Sequence, residues 1–418
     1  MKCATVHIIG AGLSGLAAAV RLAGGPQKVV LHEAARQAGG RCRSYFDPSL
    51  GMTIDNGNHL LLSGNRHALA YLDAIGSLDQ LAGPPGADFA FADLATGERW
   101  RLRPNSGPLP WWIFSKDRRV PGTSPRDYLA LIRLLARARR EDLPLSEVLQ
   151  DRGPAYERLW RPFFLAALNT DPAEASCRLA AAVVRETLAK GGRACRPLIA
   201  AHGLSAAFVK PALAYLARRG AVFLPDHRLR AIEFAKGRAA ALDFGSDAVR
   251  LDEASKAILA VPPSATESLV PGLPAPRSYR AILNAHFKIA LPKSLPPLLG
   301  VVNGTIEWVF AFQDRLSVTV SAADRFLNSG REELAARLWA EVAKVTQIEM
   351  PLPPWQIIKE KRATFAAAAG EDARRPDART AYSNLVLAGD WTATGLPATI
   401  EGAIQSGHRA AELIASMQ

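Results

Sequence analysis

Apolar positions follow two periods along this chain, and the switches between them mark out most of its elements. Val6-His7-Ile8-Ile9 is a run of strand type that enters Gly10-Ala11-Gly12-Leu13-Ser14-Gly15. An alanine-rich helix follows, and a second strand, Val29-Val30-Leu31-His32, ends in Glu33. Met52 to Asp55 reads as a short strand, broken by the polar turn Asn56-Gly57-Asn58-His59 and resumed at Leu60-Leu61-Leu62. The spacing of Leu69, Leu72, Ile75 and Leu78 predicts a helix over 66–82, and alternation over 88–103 predicts strands turning at Ala95-Thr96-Gly97. Helices are expected over 125–140, 156–168, 176–190 and 204–219, then strands over 220–224 and 228–234. Lys256 to Val261 has the unbroken apolar character of a buried parallel strand. Residues 280–322 alternate through 285–291, 305–310 and 316–320, with Trp308 and Phe310 on one strand face. A helix over 331–345, a strand over 355–360, a strand from Asn384 into Gly389-Asp390 and a last helix complete the chain.

The first forty residues carry the clearest chemistry. Gly10 lets the chain turn off the strand, Gly12 lets backbone N–H groups approach a pyrophosphate, and Gly15 lets the helix pack closely on the sheet. The helix N-terminus presents unpaired N–H groups and the positive end of its dipole to the phosphates. Glu33, eighteen residues beyond Gly15, ends the second strand, where a carboxylate accepts hydrogen bonds from a ribose diol and repels a 2′-phosphate. A glycine-rich turn that binds nothing is the plainer reading. The strand, turn, helix, strand order with its downstream acid favours a dinucleotide cradle.

Composition narrows the class. The 418 residues suffice for two or three domains, and 49% apolar with 22% charged residues describes a globular chain. A net charge of +12 points to an anionic partner surface. No nucleic-acid module accompanies it, so no nucleic-acid partner is expected, whereas an anionic membrane face or a generally basic surface fits equally well. Cys3, Cys42, Cys177 and Cys195 have neither metal-ligand spacing nor a disulfide framework, which suits a reducing cytoplasm and no metal. Met1-Lys2 runs straight into the first strand, leaving no room for a signal peptide, and no run reaches the about 20 apolar residues of a span. Trp111, Trp112, Ile113 and Phe114 precede Lys116, Arg118 and Arg119. The helix over 125–140 then sets Leu129, Ile132, Leu135 and Ala136 against arginines 126, 133, 137 and 140. An in-plane membrane helix and an ordinary core-facing helix both explain that spacing.

Gly39-Gly40-Arg41 resembles the second phosphate loop of the flavin amine oxidase and phytoene desaturase superfamily, which binds FAD. Asp55-Asn56-Gly57-Asn58-His59, Leu168-Asn169-Thr170 and the long stretch Gly389-Asp390-Trp391-Thr392 through Ala403 further resemble the hydroxysqualene dehydroxylases of bacterial hopanoid synthesis. The resemblance spans nearly the whole chain. It implies an α/β fold: a Rossmann-like FAD-binding domain from 1–85, 201–272 and 371–418, with an inserted α+β substrate domain from 86–200 and 273–370 and a helical subregion, for which the membrane-contacting and the core-facing readings of 109–140 both stand. It also implies that Gly10, Ala11, Gly12, Leu13, Ser14, Gly15, Glu33, Ala34, Gly40 and Arg41 hold the FAD nucleotide and diphosphate. Leu229 would meet the adenine, Asp390 beside Gly389 the ribityl chain, and Gly57, Asn58 and His59 the ring. Pro397, Ala398, Thr399 and Ile400 would aim the last helix at the flavin C2 carbonyl, where its dipole steadies the negative charge of reduced flavin.

The reaction implied is reduction of hydroxysqualene, an isoprenoid lipid, to squalene: the protonated allylic hydroxyl leaves as water and flavin N5 delivers hydride. The reacting atoms must then sit about 3–3.5 Å apart in a site that excludes water. Trp160, Phe164, Asn169, Trp308, Phe310 and Trp391 are expected to line that pocket. His59 is the candidate acid, with Glu401 or a bound water as the alternative. A carotenoid-type desaturase is the nearest rival, and a flavin-free lipid carrier on the same fold is a further one. No second glycine fingerprint for NADPH is evident, so a soluble reductant and a partner reductase are both open as electron donor.

Overall fold

The apolar run Thr5–Ile9 becomes the middle strand of a five-stranded parallel sheet in the computed structural model, which describes residues 4–149, 153–291 and 295–417. Lys28–His32 and Lys256–Leu259 flank it, with Val222–Leu224 and Leu385–Leu387 at the edges. Because all four pairings are parallel, the strands deliver their C-terminal loops to one rim. Helix Leu13–Leu22 is buried along nearly its whole length, since it packs both on the sheet and on the C-terminal helix Ile400–Ser416. Small alanine side chains permit that double contact.

A second, seven-stranded sheet runs in the order Trp355–Phe365, Tyr279–Lys288, Arg315–Val320, Trp308–Ala311, Leu298–Val302, Phe89–Asp93 and Arg99–Leu102. One face buries Leu283, Ala285, Phe287, Leu316 and Val318 beneath helix Arg331–Thr346. The other face is a floor, and the helices between residues 111 and 186 form a roof beyond it. Among the described residues no helix is long and apolar enough to cross a membrane.

The helix expected over 66–82 stops at Ala74, because Gly76 adopts a φ of +71° and closes a Schellman turn. Its amide donates to Asp73 and that of Ser77 to Leu72, after which the chain continues as the short strand Leu81–Ala82. The helix over 125–140 opens as a 3₁₀ turn at Pro125–Leu129 and is α-helical only over Ala130–Arg137. Strand Leu298–Val302 has no counterpart in the sequence reading. Buried on both faces and paired parallel to Phe89–Asp93, it carries no alternation to reveal it.

Histidines are unusually deep. His7 Nδ1 lies 3.1 Å from His32 Nε2, and His32 Nδ1 lies 2.8 Å from His227 Nδ1. Burial pushes His7 down to about 4 and His32 to about 3, and it pushes His286, bonded to Ser317 and Asp55, down to about 4. Below about pH 6.5 the unfolded chain protonates these rings and the folded chain does not, so each contributes stability that is lost as pH falls from there, through about 4 for His7 and His286 and through about 3 for His32. The urea midpoint is expected to fall steeply over that window, and His286→Gln is expected to flatten the fall. An unchanged slope in the variant would exclude His286 as a source.

Candidate active site

The cradle is built as its glycines require. Gly10 has φ +105°, and a Cβ there would lie 2.3 Å from the Ala260 carbonyl oxygen. A Cβ on Gly15 would lie 1.9 Å from the Gly10 carbonyl oxygen, whereas one on Gly12 would meet nothing within 4 Å. Tight packing beneath and open space above are what a loop receiving a diphosphate needs. The Gly39 amide donates to the Ala11 carbonyl at 2.7 Å, which zips the second glycine loop to the first. Glu33 holds the turn between them, accepting from the Ala11 amide at 2.7 Å and the Ala35 amide at 2.9 Å. Leu13 and Ser14 are buried in the first helical turn, and Ala34 is exposed beside Glu33. Leu229 is buried two residues after His227, whose amide donates to the Glu33 carbonyl at 2.7 Å.

The two chain ends meet at Arg41 and Asp390. Arg41 Nη2 donates to both Asp390 oxygens at 2.7 Å, and that carboxylate raises the guanidinium pKa further. Gly40, with φ +56°, precedes this arginine. Arg375, which the sequence reading passes over, clamps the segment from behind. It donates to the Asp390 carbonyl at 3.2 Å and the Thr394 hydroxyl at 2.8 Å, and also to the Thr392 carbonyl. Gly389 donates to Ser406, and Trp391 Nε1 donates to the Val261 carbonyl at 3.0 Å. Trp391 is therefore a buried brace of the loop. Thr399 caps the last helix through a 3.1 Å bond from the Gly402 amide, with Pro397 and Ala398 leading in and Ile400 buried at its first turn.

The turn at Asn56-Gly57-Asn58-His59 is stitched to the floor. His286 Nε2 meets the Asp55 carbonyl at 3.0 Å, and Asn58 Nδ2 reaches the Val318 carbonyl and the Thr319 hydroxyl, both at 3.2 Å. Asn284 accepts from the Asn58 amide at 3.3 Å and lies under Gly57. With its amide nitrogen so committed, Asn58 leaves its side-chain oxygen buried without a partner, an acceptor waiting for a donor.

Strand register then assembles the floor. Trp308 is opposite Thr319 and Phe310 opposite Ser317, so both aromatics share the face that carries Asn284 and His286. Gly300 is the partner of Trp308, and a Cβ there would strike the Phe91 ring at 2.4 Å. Phe91 stacks on Trp100 with centroids 5.6 Å apart and meets Trp308 at 5.7 Å, making an aromatic strip across the sheet. Trp160 and Phe164 are buried in the roof and join the same apolar cluster. Asn169, expected in the pocket, is instead a fastener. In the left-handed conformation at the end of helix Arg161–Leu168, it accepts from the Ala322 amide at 2.7 Å and donates to Thr364 at 3.0 Å.

Residues 13–415 match the family of flavin-containing amine oxidoreductases. The chain is 54% identical to the hydroxysqualene dehydroxylase of Rhodopseudomonas palustris over 98% of both chains, and 50% identical to that of Sinorhizobium fredii at the same coverage. The chain belongs to the hydroxysqualene dehydroxylases, within the flavin-containing amine oxidoreductases. It is 24% identical to a probable zeta-carotene desaturase of Synechococcus elongatus over 99% of both chains. Cyclohexylamine oxidase of Brevibacterium oxydans shares the fold at a TM-score of 0.71 and 18% identity, with 99% of each chain covered. This membership and the open cradle agree on FAD. Gly12, Gly40 and the first turn of Leu13–Leu22 would hold its diphosphate, Glu33 its ribose, and the Asn58 oxygen a ring N–H.

Membership in the hydroxysqualene dehydroxylases makes the proton the next question. His59 is half-buried, and burial together with the Arg41 charge pushes it down to about 4, so it is neutral at pH 7. Glu401 has its two oxygens on the N-terminus of helix Arg66–Ala74, accepting from the His67 amide at 3.0 Å and the Ala68 amide at 2.9 Å. It acts there as a cap supplied by another helix. Glu307, expected only as part of the strand over 305–310, is buried beside Trp308 and pushed up to about 7, chiefly by burial. Its carboxylate accepts from the Ser321 amide at 3.1 Å, and it lines a polar cavity of about 170 Å³ between floor and roof with Arg161, Thr305 and Arg325. The signal in the sequence is an acid directly before the floor tryptophan.

Proposed function

We propose that this chain reduces hydroxysqualene to squalene, with the lipid lying along the strip Trp100, Phe91, Trp308 and Phe310. The observation that carries the reading is this aromatic face beside Asn58 and His59, on a chain that matches a hydroxysqualene dehydroxylase over 98% of both chains. Reduced FAD, when bound, supplies the hydride to the allylic carbon as water leaves. The residues of this chain do the rest. Aromatic faces stabilise developing positive charge by cation–π attraction while excluding the water that would recapture it. Glu307 holds a proton near neutral pH and donates it to the departing hydroxyl, with the polar cavity as its inlet from solvent. His59 shapes the ring pocket, Glu401 ties helices, and Arg41 with Asp390 anchors the cofactor at the junction of the two chain ends. Electrons come from a donor outside the chain, and contact with the membrane is peripheral, at its cytoplasmic face.

The test is direct. Holoenzyme is reduced anaerobically, hydroxysqualene is added, and flavin absorbance is followed while squalene is quantified by mass spectrometry. Reoxidation matched mole for mole by squalene is the expected result. Flavin that stays reduced with no squalene formed would favour the desaturase, and protein that binds no flavin would favour the lipid carrier.

A further inference from the structure

We propose that the surface formed by the turn Trp111–Phe114 and helix Ala130–Arg137 inserts into the headgroup boundary of an anionic lipid bilayer, and that the lipid substrate enters the protein there. The proposal rests on the substrate reading above and gives it a delivery face.

Ten large apolar side chains are exposed among the described residues, and five of them lie in this one region: Leu109 (61%), Trp111 (66%), Phe114 (63%), Leu129 (47%) and Ile132 (64%). Trp111 and Phe114 touch, with ring centroids 6.3 Å apart. Leu129 and Ile132 are three apart, on one side of their helical segment. The two elements are locked together by Trp112, whose ring meets Tyr128 edge-on at 5.0 Å, and by Tyr128 accepting from the Val120 amide at 3.1 Å. This is therefore a shaped apolar surface backed by a buried framework.

Charge selects the occupant. Residues 109–141 hold eight Lys and Arg against three acids, and Lys116, Arg126, Arg133, Arg137, Arg139 and Arg140 are exposed in the same stretch as the apolar tips. Aromatic tips beside exposed arginines match an anionic bilayer, whose surface potential attracts the basic side chains while the apolar tips enter the headgroup boundary. A second copy of this chain seated on the same patch would bring arginine against arginine. Behind the patch the route inward is apolar. Tyr128 meets Trp160 edge-on at 5.6 Å, and both belong to the cluster that holds Phe164, Phe91 and Trp100 and packs against Trp308. The apolar cluster thus runs from behind the exposed aromatics to the floor, with Arg158, stacked 4.7 Å over the Trp100 ring and paired with Asp93, as the charged group beside it.

Holoenzyme and the double variant Trp111→Glu/Ile132→Glu are sedimented with vesicles of phosphatidylglycerol and phosphatidylethanolamine, and with vesicles of phosphatidylcholine alone. Turnover is measured with hydroxysqualene in detergent micelles and in the anionic vesicles. The wild type is expected to bind the anionic vesicles, weakening with salt, and the variant to bind at least about tenfold less while keeping its micelle turnover and losing vesicle turnover. Arg133→Glu/Arg140→Glu is expected to abolish the preference for anionic lipid. Wild type that sediments with neither vesicle, a variant that binds as wild type does, or a wild-type dimer that the Trp111/Ile132 changes dissociate would each overturn the proposal. If neither protein turns over substrate in micelles while the vesicle contrast persists, the reaction assignment fails and the membrane face stands.

Discussion

Glu307→Gln is expected to lower kcat about 100-fold, the lower range for loss of a positioned acid, while flavin content stays at the wild-type level. The wild-type profile should require Glu307 protonated and so decline as pH rises through about 7, and that limb should vanish in the variant. A purely structural carboxyl predicts a different pattern. Because the folded chain keeps Glu307 protonated well above the ordinary 4.5, wild-type stability is full below that value and is lost as pH rises through about 7. Glutamine mimics the protonated form, so the variant should be at least as stable as wild type at pH 8. Slow turnover in a protein of undiminished thermal midpoint would separate chemistry from folding. A variant retaining the wild-type rate and pH profile would remove Glu307 from the reaction.

Gly15→Ala is expected to yield protein that folds but purifies nearly colourless. The new methyl would lie 1.9 Å from the Gly10 carbonyl oxygen, which is backbone and cannot swing aside. The turn carrying Ala11 and Gly12 must therefore move away from the helix N-terminus that receives the diphosphate. Overpacking of this kind costs about 1–3 kcal/mol, and where it falls on the cofactor loop FAD affinity drops about 10–100-fold. Flavin absorbance relative to protein absorbance reads this out, with far-UV circular dichroism to verify folding. Gly12→Ala is the control: its methyl meets no protein atom within 4 Å, so any loss of FAD there reports on the cofactor itself. Equal flavin content in Gly15→Ala and wild type would show that close approach at residue 15 is not what forms the cradle.

The sequence by itself determined the cradle, the second glycine loop and the Gly-Asp return. These depend on backbone conformation, which glycine permits and other residues refuse, and that constraint is local enough to be read residue by residue. Trp308 and Phe310 were legible for a related reason, since strand alternation assigns side chains to faces before any partner is known. Tertiary structure alone decided the rest. Glu401 and His59 look like acids along the chain, but one is taken up by a helix terminus from residues 67 and 68, and the other is discharged by burial and by Arg41. Asn169 lies in a motif, yet its use is set by Ala322 and Thr364, more than 150 residues away. Glu307 holds a proton near neutral pH only because strands and roof helices bury it, and burial outweighs the opposing pull of Ser321, Arg325 and Arg161. A charge state is a property of the groups gathered around a side chain, and folding gathers them from distances that no local pattern records.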